Sequence, residues 1–179
     1  MKIHIVGASC AGSTTLGMRL SVELGYPYFD SDNYFWERTD QPYTVKRSVE
    51  LRNELLKKDI TGLNDFIVGG SLVSWGEGWQ SAFDLVVFLY VPPEIRMQRL
   101  HNRELERYGE AIFTDAERKR QYQEFVDWAS AYDKPDNPRR SLAVHEHWLK
   151  QVTCALIEIR GDTTVDERIN IIRESGYLG

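Results

Sequence analysis

Residues 7–15 read Gly7-Ala8-Ser9-Cys10-Ala11-Gly12-Ser13-Thr14-Thr15. Gly7, Gly12 and Thr14 have the spacing of a phosphate-binding loop, G-x-x-x-x-G-K-[ST], with Ser13 where the lysine normally stands. Before the loop, Lys2-Ile3-His4-Ile5-Val6 alternates polar and apolar residues and ends in consecutive apolar ones, the pattern of a strand entering a core. After it, Leu16, Leu20 and Leu24 recur at helical spacing, and Gly25 is a helix stop. Strand, glycine-rich turn and helix start thus follow in the order an anion cradle requires. The two glycines let backbone approach a phosphate, and the helix behind them directs free N–H groups and its positive dipole end at it. All nine residues are assigned to nucleotide binding, with the Thr14 hydroxyl placed to reach Mg²⁺ or a β-phosphate oxygen. The missing lysine removes one positive charge and leaves the cradle. Charge growing on transferring oxygens then needs a cation from elsewhere.

The rest of the chain bounds the setting. A length of 179 residues suits one α/β domain and is too short for two ordinary ones. Hydrophobic content of 42% with 27% charged residues is that of a soluble globular protein, and a net charge of −5 disfavours generic nucleic-acid binding. The two cysteines, Cys10 and Cys154, suit a reducing compartment. No run reaches membrane-span length, and a first strand starting at residue 2 leaves no room for a signal peptide. The expectation is a cytoplasmic protein with no membrane or nucleic-acid partner, as a monomer or homodimer.

Four further strands are expected: Pro27 to Asp30, Phe66 to Val68, Leu85 to Val91, and Cys154 to Ile159. The run Leu85–Val91 is apolar throughout, as in a central parallel strand covered on both faces. Helices are expected from Val45 to Asp59 (capped by Thr44, with Leu51, Leu55 and Leu56 inward), Pro93 to Tyr108, Asp115 to Tyr132, Leu142 to Val152 and Val165 to Ser175. Strands alternating with helices imply a three-layer α/β/α sandwich with a parallel sheet, and ligands at the carboxyl ends of its strands.

Each strand end carries polar candidates. After the second come Asp30-Ser31-Asp32, two acids that can face one way: Asp30 as a Mg²⁺ group with Thr14, Asp32 to orient and deprotonate an acceptor hydroxyl. Tyr34 follows in an aromatic loop. After the third come Gly69-Gly70-Ser71 and Trp75, where backbone can approach a substrate and indole can wall a pocket. After the fourth, Arg96, Arg99, Arg103 and Arg107 fall along one helix face, with Glu104 and Glu106 out of register, so that the row stays positive. Arg99 and Arg103 are the first candidates for the missing cation, Lys46 and Arg47 the second. Arg139-Arg140 can reach an anionic ligand from a proline-containing loop, and Arg139 is assigned to substrate binding. Arg160-Gly161-Asp162 can border a nucleotide base. His145 and His147 diverge on a helix and do not make a metal pair.

Across nearly its whole length the chain resembles a small P-loop kinase of the nucleoside-monophosphate kinase and shikimate kinase superfamily. It is closest to a bacterial adenylate-kinase-like group whose loop also lacks lysine. The residues that carry the resemblance are the loop with Leu16-Gly17, Phe29-Asp30-Ser31-Asp32, Gly-Ser-Leu-Val-Ser-Trp-Gly at 70–76, and FDLVVFLYVPPEIRMQRLHNRELERYG at 83–109. The resemblance implies a five-stranded sheet in order 2-3-1-4-5, ATP on the loop, a substrate-binding helical segment at about 33–62 and a lid at about 99–120 whose arginines close on the nucleotide. Two departures stand out: Ser13 itself, and a glycine pair where shikimate kinases carry three. The expected activity is Mg²⁺- and ATP-dependent phosphoryl transfer to a small-molecule or nucleotide acceptor. Two alternatives stand beside it: a non-catalytic nucleotide binder, and a slow NTPase coupled to a partner.

Overall fold

The computed structural model describes residues 1–178. Its centre is set by two strands that are apolar on both faces, β1 (Lys2–Gly7) and β4 (Leu85–Tyr90), paired in parallel with Ile3 opposite Leu85 and Gly7 opposite Leu89. β2 (Tyr28–Asp30), β3 (Phe66–Gly69) and β5 (Ala155–Arg160) complete a parallel sheet in the order β2-β3-β1-β4-β5. This is the architecture expected from the sequence.

Because side chains alternate along a strand, each central strand feeds two cores. Ile3, Ile5, Leu85, Val87 and Leu89 pack on one face against α1 (Ser13–Leu24) and α8 (Val165–Glu174) through Leu16, Leu20, Ile169 and Ile172. Val6, Val68, Val86 and Phe88 pack on the other against Leu56 of α3 (Val49–Ile60), Trp75, Trp79 and Trp148 of α7 (Leu142–Leu149). After β1 the chain crosses to β2 at one edge; β4 and β5 lie on the opposite side of β1. The reversal beside β1 opens a crevice at the carboxyl ends of β1 and β3.

Several expectations are corrected. α3 begins at Val49 with Ser48 as its cap, not at Val45 with Thr44, because residues ahead of it are held extended: Lys46 bridges Trp36, and Arg47 donates its backbone N–H to the Phe35 carbonyl. The stripe that α3 buries contains Arg52 and Leu56, while Leu51 is 41% exposed. Two short helices interrupt segments read as loops, α2 (Asp32–Phe35) and α5 (Ala111–Thr114), the second lying between α4 (Pro93–Tyr108) and α6 (Ala116–Ser130). Trp75 lies in the core at 1% exposure, where its ring stacks with the Arg52 guanidinium, so it is not a pocket wall.

The arginine row on α4 is also broken. Arg96 is buried and donates to the Val91 carbonyl and to Asp133, which fastens the start of α4 to the chain after α6. Glu104 is buried between Arg103 (3.7 Å) and Arg107 (3.9 Å), so the row carries one carboxylate within it. The i,i+3 reach of a glutamate side chain brings it into a register that its backbone position leaves.

Candidate active site at the phosphate loop

The loop between β1 and α1 takes its shape from two close approaches. A side chain at Gly7 would put its Cβ 2.6 Å from the Leu89 carbonyl oxygen, so β1 can lie against β4 at this point only with glycine. Gly12 has φ +95°, in the left-handed region, and caps α1. Ala11 donates its backbone N–H to the Ala8 carbonyl at 3.1 Å, closing the turn. The loop opens onto a cleft of about 530 Å³ that Asp30, Asp32, Gly70, Ser71, Arg99 and Arg103 also line.

Asp30 is held by three donors. Thr14 Oγ1 lies 2.9 Å and Tyr28 Oη 3.1 Å from its Oδ2, and the Asp32 backbone N–H lies 3.0 Å from its Oδ1. Tyr28 reaches this position because Gly17 and Gly69 have no side chain; a Cβ at either would lie 2.3 Å or less from its ring or hydroxyl. The Thr14–Asp30 pair is a compact set of hard oxygen donors, suited to Mg²⁺ bound jointly with substrate phosphates. Asp32, one residue into α2, stays free on the cleft side. Surrounding protein and the Asp30 carboxylate push its carboxyl above the ordinary range, against the opposing pull of Arg140, Arg103 and Arg107.

The acidic chain therefore encloses a cationic cleft. Arg103, Arg107, Arg140 and Arg168 join Arg99 along its walls. Arg99 donates to Asp162 at 2.7 Å and to the Cys10 carbonyl at 3.5 Å. Arg140 stacks 4.6 Å from the Trp128 ring, its buried Nε has no hydrogen-bond partner among the described residues, and burial disfavours its charged form. Such a guanidinium is costly unless an anion joins it.

Beneath the cleft runs a buried chain of three side chains. Ser71 Oγ lies 2.9 Å from His145 Nε2, and His145 Nδ1 lies 2.7 Å from the Tyr132 hydroxyl. Burial lowers the His145 pKa to about 3 and raises that of Tyr132, so a neutral imidazole meets a protonated phenol. The Tyr132 hydroxyl has no other partner among the described residues, so its proton goes to Nδ1. Nε2–H then donates to Ser71, leaving the Ser71 O–H free to donate into the cleft.

Buried His4 behaves alike: desolvation holds its pKa at about 4 despite a bond to the Val68 carbonyl. Both histidines are neutral in the fold and take protons once unfolded, so their contribution is complete above about pH 6.5 and is lost as pH falls towards 4. Unfolding free energy is expected to drop across that interval, by a few kcal/mol at most for each histidine, and the urea midpoint to fall with it. His4→Gln should flatten the slope. A midpoint constant from pH 6.5 to 4 would contradict the assignment.

Other sequence candidates are placed elsewhere. Arg47 donates to the carbonyls of Asn33 and Tyr34 at 2.9 and 3.0 Å, and Tyr34 donates to Asp59. Lys46 lies 5.9 and 5.7 Å from the Phe35 and Trp36 rings. Arg139 faces a separate hollow beside Trp128 and Asn137, while its neighbour Arg140 faces the cleft. Arg160 pairs with Glu146 and Glu158, and the Gly161 N–H is spent on the Tyr90 carbonyl at 2.9 Å. Asp162 reaches the site only through Arg99. Sequence reasoning missed Arg168 and the role of His145. A buried arginine at the start of the last helix gives no motif, and a lone histidine beside His147 gives no signal of a bond to a serine 74 positions away. Among the described residues, no group of three or more His, Cys, Asp and Glu is arranged to hold a metal, and no helix is long and apolar enough to cross a membrane.

Comparison with known proteins gives the relatives of this site. The Bacillus subtilis protein YqaC, of uncharacterised function, is 41% identical over 169 residues, covering 94% of this chain and 93% of that protein. The chain belongs to the YqaC family of the small P-loop kinase-like superfamily. Shikimate kinase of Acinetobacter baylyi is 30% identical over 110 residues, a match covering 56% of the chain and 61% of that enzyme. Solved structures share the fold of this YqaC-family chain. A shikimate kinase from Acinetobacter baumannii in complex with shikimate covers 99% of the chain and 95% of its own at TM-score 0.55 and 17% identity. A deoxyadenosine kinase from M. mycoides with bound dATP covers 98% of each at 0.57 and 17%. No family model matches the chain.

Proposed function

We propose that the protein is an ATP-dependent phosphotransferase acting on a small anionic acceptor that carries a hydroxyl. The observation that carries this reading is one cleft in which a phosphate loop, the Asp32 carboxylate and the guanidinium groups of five arginines meet. ATP would lie on the loop, with Arg99 and the turn through Asp162 at its base end. Thr14 and Asp30 would hold Mg²⁺, which when bound neutralises phosphate charge. Asp32 accepts the proton of the acceptor hydroxyl as that oxygen attacks the γ-phosphorus and the bond to the β-phosphate oxygen breaks. Arg103 faces the transferring oxygens, while Arg140 and the Ser71 hydroxyl face the anionic end of the acceptor. The region at about 99–120, which brings Arg99, Arg103 and Arg107 to the cleft, serves as lid. Matches to shikimate kinases support a hydroxylated carboxylate as one class of acceptor.

The test is acceptor-dependent ADP formation by the full chain with ATP and Mg²⁺, across hydroxylated carboxylates, sugar phosphates, nucleosides and nucleotides. Stimulation by one anionic hydroxyl compound is expected. ADP formation unaffected by any acceptor would favour a slow NTPase instead. Nucleotide binding without turnover would favour a binding protein.

A further inference from the structure

Arg168 is buried, and among the described residues it has no carboxylate partner within ion-pair distance. It comes from the first turns of α8 and is 2% exposed. Its Nε donates to Thr163 Oγ1 and its Nη1 to the Ala11 carbonyl, both at 2.8 Å. The acids nearest to it are engaged elsewhere: Asp162 pairs with Arg99 at 2.7 Å, and Glu167 accepts from the Thr164 N–H and hydroxyl at 2.7 and 2.9 Å. Burial and the neighbouring Arg99 charge both disfavour its protonated form. Two guanidinium groups therefore rest on successive carbonyls of the loop, those of Cys10 and Ala11, at the wall of the same cleft. Of the two, Arg99 is 37% exposed and already paired with Asp162, whereas Arg168 is buried and feels that carboxylate only at a distance, so a buried guanidinium at this wall is the one that gains most from a further anion. The loop is fitted to this arrangement, since a Cβ at Gly12 would stand 2.8 Å from Arg168 Nη1.

We propose that Arg168 is a loop-positioning and phosphate-binding residue, which fixes the Ala11–Gly12 peptide and brings to the nucleotide, from the last helix, positive charge that position 13 does not supply. This rests on the reading that a nucleotide occupies the loop. Nothing in the loop motif assigns such a role to α8, and Thr163 completes it by holding Nε of a residue that lines the cleft.

Calorimetric titration of the full chain with ADP and Mg²⁺, at low and high salt, tests it. Arg168→Met is expected to weaken ADP binding roughly 10- to 100-fold at low salt, and by less at high salt where charge is screened. Arg168→Lys should recover part of the loss. Arg173→Met, on the same helix but paired with Glu23 at the surface, should bind as the wild type does. ADP affinity of Arg168→Met within about twofold of wild type, or a loss independent of salt, overturns the proposal. Should Arg168→Met fail to fold, Arg168→Lys decides alone, and unchanged affinity in it overturns the proposal. A wild-type chain that binds no ADP instead removes the nucleotide reading beneath it, an outcome distinct from binding that ignores Arg168.

Discussion

Asp32→Asn lowers kcat by roughly 10²- to 10⁴-fold and leaves ADP affinity within about twofold, on the role assigned to this carboxylate. Asp32 is one residue into α2 and uses its backbone N–H, not its side chain, to bind Asp30. Its carboxylate is therefore free, in a cleft whose other acid is committed to Thr14 and Tyr28. Asparagine keeps the size and the backbone bond but cannot take a proton, so the loss should appear in turnover. The rate should also fall on acidification through a group raised above the ordinary carboxylate range, because the base must be ionised to act. That acid limb should vanish in the residual activity of Asp32→Asn. Single-turnover transfer and calorimetric ADP binding on the same variant separate the two effects. Equal kcat in the variant would remove Asp32 from the chemistry.

Arg103→Ala carries the second large effect, an expected loss of about 10³-fold in kcat with little change in nucleotide KM. Arg103 lines the cleft, its buried Nε has no hydrogen-bond partner among the described residues, and the carboxylate paired with it, Glu104, stands 3.7 Å away and is shared with Arg107. A guanidinium held so loosely by its own protein is available to charge that develops only in transfer. Arg99 is the contrast. It is already fixed by Asp162 and the Cys10 carbonyl, so Arg99→Ala should raise nucleotide KM and leave kcat within about tenfold. Steady-state kinetics of the two variants check the split, and identical profiles would contradict it.

The fold was legible because its evidence is local. The alternation of Ile3, His4, Ile5 and Val6, the unbroken apolar run from Leu85 and the glycine spacing of the loop each depend on residues close together in sequence. The same holds for the strand ends that bring Asp30, Asp32 and Gly70 to one cleft. What sequence reading lost depends on contacts made across the chain. Glu104 enters the arginine row through its flexible side chain, and Arg96 leaves it for Asp133. Arg140 and Arg139 are neighbours in an irregular loop, where no periodicity says which one faces inward. Arg168 meets Ala11 across 157 positions of chain, and Ser71 meets His145 across 74. The helix start at Val49 was displaced because pairing of Trp36 with Lys46 outweighed the capping preference of Thr44.

On the proposed function, a loop lacking its lysine transfers phosphate because arginines from other elements bring the charge. The most direct measurement is acceptor-dependent transfer of the γ-phosphate, followed by ³¹P NMR, in wild type and in Ser13→Lys. Wild type is expected to transfer to an anionic hydroxyl compound in excess of phosphate released to water, and to gain less than about tenfold from the added lysine. A wild type without transfer, raised from zero by Ser13→Lys, would contradict the proposed function.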